Sequence, residues 1–152
     1  MAYSPIILTD PTYTQRVRDK LGISDPNYLP DEVISQPDFI ALSEAHIIDI
    51  VPNWANLTDD PVHGRFDRQY LEGAVVCECA LTLLSTVRAR IPTKEQGPHI
   101  TVTNEIDWVA IEGRIQDDEN HYLSNIAPNI QMTYFGTNHP SGGLFTIPFV
   151  GF

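Results

Sequence analysis

The segment "RFDRQYLEGAVVCECALTLLSTVRARI" runs from Arg65 to Ile91 between two helix breakers, Gly64 and Pro92. Within it Phe66, Tyr70, Ala74, Cys77, Leu81 and Leu84 recur at spacings of three and four, the period of one helix face. Leu71, Val75, Val76 and Leu83 widen that face into a broad apolar stripe. Arg88 and Arg90 fall in the last turn, where cations complement the negative end of the helix dipole. This helix is expected to be the backbone of the core. Gly73 inside it costs about 1 kcal/mol against Ala, so it is expected to mark a close helix crossing.

The flanking segments supply helices to pack on it. In "TDPTYTQRVRDKLG", Thr9 or Asp10 suits a cap, Pro11 the first helical position and Gly22 the exit. Val17 and Leu21 share a face. Pro30 starts a short helix through about Ser35, and Pro37 a longer one ended by Pro52. In the longer one Phe39, Ile40, Leu42, Ile47, Ile48, Ile50 and Val51 cover a wide arc, which predicts packing on more than one side. "NLTDDPVHG" reads as a loop. The β-branched run around "HITVTNEIDWVAIEGRI" predicts a hairpin or strand-like excursion near 99–115, with Ile100 and Val102, then Val109 and Ile111, on either side of a turn at Asn104. A short helix capped by Asp117 or Asp118 follows and stops at Pro128. The expectation is a mainly α fold: a bundle of about four helices in residues 1–128, a small β-hairpin, and an extended C-terminal arm over 129–152.

Composition narrows the function. The chain has 152 residues, 42% of them hydrophobic, enough for one domain with a core. Its 20 acids against 9 bases give a net charge of −11, which argues against wrapping nucleic acid by phosphate neutralisation. The same charge suits a wall that DNA passes without sticking. From Asp25 to Asp60 there are acids and no Lys or Arg, which predicts an acidic surface. The N-terminus lacks a basic n-region, and no apolar segment is expected to be long enough to cross a membrane. Two cysteines, Cys77 and Cys79, make no disulfide framework, so assembly in the cytoplasm is expected.

Catalytic and cofactor signatures are missing from the sequence. His46, His63, His99, His121 and His139 sit at none of the usual metal-ligand spacings. Cys77 and Cys79, two apart on a helix, point in different directions. Glu72 and Glu78 are six positions apart, too far for a close dyad, and are expected to meet Arg65, Arg68 or Arg88 within or between subunits. "SGG" at 141–143 lacks the Lys of a phosphate loop, and no GxSxG or nucleotide fingerprint occurs. The expectation is a protein that is not an enzyme and takes no cofactor or metal.

A short capped helix, the phrase "LPDEVIS" leading into an apolar helix, a loop, and then "RQYLEGAVVCECALTLLSTV" together resemble the phage head–tail connector (head-completion adaptor) proteins. The resemblance covers roughly Thr9 to Ile126 and rests on diffuse patterns. It implies a helical bundle that assembles into a ring, usually of twelve copies, under the portal of a tailed phage. Such a ring joins capsid to neck and tail and extends the DNA channel, and its surface meets the next neck or tail component. It implies a virion protein assembled in the host cytoplasm, with DNA passing through and no membrane contact. The family has no catalytic motif to carry over. A tail-terminator or neck stopper, and a small non-viral binding module with a docking tail, are the alternatives; the first two are β-rich by family analogy.

The last nineteen residues, "YFGTNHPSGGLFTIPFVGF", hold five aromatics and no Lys, Arg, Asp or Glu. Exposed, such a segment would aggregate. Tyr134, Phe135, Phe145, Phe149 and Phe152 are therefore expected to anchor an arm on the portal or a neighbouring subunit, with Gly and Pro turning the chain between contacts. The alternative is that the segment folds back over its own bundle.

Overall fold

In the computed structural model the described residues are 3–91, 94–96, 101–103 and 106–126, the two short stretches at 94–96 and 101–103 as backbone. The fold is mainly helical. Among the described residues the α-helices are α1 (Tyr13–Leu21), α2 (Asp31–Ile34), α3 (Ile40–Ile50), α4 (Asp67–Arg90) and α5 (Trp108–Ser124). Two small antiparallel pairs accompany them. In the first, β1 (Asp59–Asp60) faces β2 (Arg65–Phe66); in the second, β3 (Lys94–Gln96) faces β4 (Thr101–Thr103).

The apolar stripe makes α4 the hub. Leu71, Ala74, Val75, Val76, Cys77, Cys79, Ala80, Leu83, Leu84 and Val87 are all buried, and α5, α1 and α3 pack around them. Leu81 is only partly buried, at the edge of the core. At 24 residues α4 is also long and apolar enough to cross a membrane, contrary to the expectation from sequence; here most of its apolar window is buried inside the bundle.

Local chemistry sets the helix ends. Asp10 accepts from the Thr12 amide (2.9 Å) and hydroxyl (2.8 Å), which turns the chain into α1. Gly22 ends α1 at φ 76°, and the Gly22 and Ile23 amides return to Asp19 and Arg18. Arg18, itself buried, donates to the Leu29 carbonyl (2.9 Å) and to Asp31 (2.7 Å), fixing α2 beside α1. Asp59 caps α4 from outside the helix: its Oδ1 accepts the Arg68 and Gln69 amides at 3.0 and 3.2 Å.

Three further expectations change. The strand-like excursion does not reach 115: residues 108–115 are the first half of α5, and the hairpin is instead β3 with β4. Asp107, not Asp117 or Asp118, caps that helix, accepting the Ala110 amide at 3.0 Å. The β propensity of Val109 and Ile111 gives way because Ile111, Ile115 and Tyr122 form one helical face against the core, with Ile126 buried just beyond it. Finally, α3 buries only one side, Ile40, Ser43, Glu44 and Ile47, and leaves Leu42 61% exposed. Asn104 and the arm residues 129–152 lie outside the described residues.

Candidate functional site

All five anchors named from sequence, Tyr134, Phe135, Phe145, Phe149 and Phe152, lie outside the described residues. Within them, chemistry collects along the antiparallel α4–α5 seam.

One end of the seam is tight. A Cβ at Gly73 would stand 2.9 Å from the Tyr122 ring, so this glycine does mark the close crossing. The ring is boxed in by Tyr70, with centroids 6.1 Å apart, and by Lys20, whose Nζ is 5.2 Å from the ring centroid. Lys20 also bridges to Asp118 at 2.8 Å, and Arg114 donates to the Lys20 carbonyl at 2.6 Å, so α1 is tied to α5. Beside this end lies a cleft of about 540 Å³, where Glu72 accepts from Arg16 (3.1 Å) and Arg68 (3.3 Å). The expected Glu72–Arg68 contact is therefore present.

Further along, Glu78 and Glu119 face each other in a cleft of about 440 Å³ lined also by Leu81, Thr82, Gln116 and Asn120. Glu78 meets no arginine among the described residues; its ionic neighbour is His46 of α3, with Nε2 3.9 Å from Oε1. Oε2 of Glu119 is buried and has no conventional donor among the described residues. Burial, and then the Glu78 carboxyl beside it, push the Glu119 acid up to about 9. The sequence singled out Glu78 as an arginine partner; its acidic neighbour on another helix carried no local signal.

A second buried carboxylate, Glu44 of α3, is 1% exposed. It accepts from the amides of Ile6 (3.1 Å), Ile7 and Leu8 (3.3 Å) and from the Tyr3 hydroxyl (2.9 Å). Arg68 adds a bond to the Ile7 carbonyl at 2.8 Å. Together they strap residues 3–8 across the bundle.

Nucleophilic chemistry has little footing here. Burial pushes both Cys77 and Cys79 thiols up to about 12, which keeps them protonated. The Thr82 hydroxyl beside the carboxyl pair is spent on the Cys79 carbonyl at 2.8 Å. Among the described residues no group of three His, Cys, Asp or Glu is placed to hold a metal. In the acid-only run Asp25, Asp31, Glu32, Asp38 and Asp49 are exposed, whereas Glu44 and Asp59 are used inside the fold. The arrangement can hold a proton between two carboxyls and present negative charge to its surroundings. Comparison with protein-family models, curated proteins and solved structures yields no match for the chain.

Proposed function

We propose that this chain is a structural virion protein, a head–tail adaptor that forms a ring under the portal of a tailed phage. The observation that carries the proposal is the order of elements over Thr9 to Ile126: capped α1, short α2, apolar α3, a loop and the central α4. That order is the one in which the sequence resembles the head-completion adaptors. A mainly helical chain also favours the adaptor over a tail-terminator or neck stopper, which the resemblance would make β-rich.

Two surface features support it. Leu42, Val62 and Val109 are 61%, 89% and 75% exposed, apolar side chains that neighbouring subunits would cover. Exposed acids in the 25–49 region suit a ring whose channel repels phosphate, so DNA moves through without specific binding. Partners are then further copies of the chain, the portal and the next neck or tail component.

The aromatic segment 129–152 supplies the docking arm, each buried aromatic contributing about 1–3 kcal/mol. Removing residues 129–152 tests this directly. The truncated chain should keep its helical circular dichroism and its cooperative melt, and should no longer join the portal. A truncated chain that assembles normally makes the arm dispensable, and one that unfolds makes it part of the core. The gene should also lie beside portal and major capsid genes; a cellular neighbourhood would favour the small binding module instead.

A further inference from the structure

Glu78 and Glu119 sit midway along the seam between α4 and α5, beyond the tight Gly73–Tyr122 contact. Oε2 of Glu119 is shut off from water, and no conventional donor among the described residues reaches it. A carboxylate left in that state is costly, because it has lost its hydration and gained no hydrogen bond. Lys20 does not relieve it, since its ammonium is held by Asp118, one position away on the same helix, and lies over Tyr122. A proton does relieve it: the Glu119 acid then donates to the Glu78 carboxylate, and the repulsion between the two groups disappears.

We propose that Glu78 and Glu119 hold one proton between them, and that this proton is a latch that keeps α5 seated on α4. With the proton in place the two carboxyls attract across the seam. Once it leaves, two like charges face each other in a partly closed cleft and the seam loosens. The latch has a direct structural consequence. The chain leaves α5 at Ser124 and reaches Ile126, which is 1% exposed against the core, so the seat of α5 sets where the chain stands at Ile126.

The described groups around the pair reinforce the arrangement. On α3, His46 stands 3.9 Å from Glu78, and in its charged form it favours the carboxylate there, leaving the proton on Glu119. On α4, the Cys77 and Cys79 thiols are held neutral by burial. On α5, Asp118 is neutralised by Lys20 of α1. The proton belongs to the pair rather than to one residue.

The sign of the pH dependence follows from linkage. Glu119 has an ordinary value of 4.5, raised in the fold to about 9, so the folded chain binds more protons than the unfolded one between those values. Its contribution to stability is complete below about 4.5 and is lost as pH rises towards 9, by up to about tenfold in the unfolding equilibrium per pH unit. Solvent reaching the cleft reduces that factor.

The test compares the full-length chain with Glu119→Gln in denaturation curves from pH 5 to 9.5. Gln keeps a donor for Glu78 and has no proton to lose. The natural chain should lose stability relative to Glu119→Gln across this range and level off above about 9. In the natural chain at neutral pH, infrared spectra with labelled glutamate should also contain the carbonyl stretch of a buried protonated carboxyl, and the band should fade as pH passes 9. Parallel pH profiles for the two chains would overturn the proposal. So would the absence of the infrared band at neutral pH, which decides the matter even if the variant fails to fold.

Discussion

Glu44 and Glu119 are the same side chain, each with a carboxylate oxygen withdrawn from water in the same bundle, and they meet opposite surroundings. Glu44 lies where three successive backbone amides and a tyrosine hydroxyl converge, so its negative charge is spread over four donors. Its effect on a neighbour is visible at Tyr3, whose hydroxyl is pushed up to about 12, first by burial and then by its bond to Glu44. Glu119 lies on a seam between two helices whose backbone donors are already spent within the helices, and it faces another acid. Burial alone does not decide whether a carboxyl is charged; the supply of donors does. An unstructured strap can offer its amides, and a helix side cannot.

The largest effect is expected where the donors are most numerous. Glu44→Ala should orphan the buried Ile7 and Leu8 amides and release the strap, costing about 2–5 kcal/mol. Urea denaturation measures it. A loss within the surface range of about 0.5 kcal/mol would mean that the strap is held by its apolar side chains and that Glu44 differs little from Glu119.

An intermediate effect probes the closed end of the seam. Gly73→Ala should destabilise by about 1–3 kcal/mol, because the added methyl meets a Tyr122 ring that Tyr70 and Lys20 keep from moving aside. In a Tyr122→Leu background the same substitution should be neutral or stabilising by up to about 1 kcal/mol, the helix-propensity gain. If it costs as much in both backgrounds, the crossing is not set by this ring, and the seam is no tighter here than at Glu78.

The smallest effect is expected at Asp31, where the sign of the pH dependence separates the two kinds of acid. Asp31 is held below its usual range, first by the Arg18 guanidinium that donates to it. A lowered acid contributes stability above its unfolded value of 3.8, and that stability is lost as pH falls through the folded value. Asp31→Asn should therefore flatten the acid limb of the stability profile, whereas Glu119→Gln flattens the limb above 4.5. Because Asp31 is largely exposed, its change should be slight. Matching effects from both variants on one limb would erase the distinction between acids with donors and acids without.

The long helix was legible in the sequence because its signals are local: a stripe at spacings of three and four, breakers at both ends and Gly73 in mid-course. The exit of α1 at Gly22 was legible for the same reason. The first half of α5 was not, because Val109 and Ile111 carry strand propensity that is outweighed only when Ile115, Tyr122 and Ile126 find the core beside them. The capping of α4 by Asp59 and the meeting of Glu78 with Glu119 depend on chain segments that come together only in the fold, so residue type alone could not announce them. The expected role of Glu72 as an arginine partner could be read locally in part, since Arg68 is one turn away, while Arg16 could not.

The central claim is that copies of this bundle form a ring on a portal. Its most direct test is electron microscopy of the full-length chain mixed with the portal protein encoded nearest to it, with class averages taken along and across the ring axis. An added ring of density is expected on the tail-facing side of the portal, with an axial symmetry that matches the number of copies bound and an open central channel. Portal rings that remain bare at saturating amounts of folded full-length chain would contradict it.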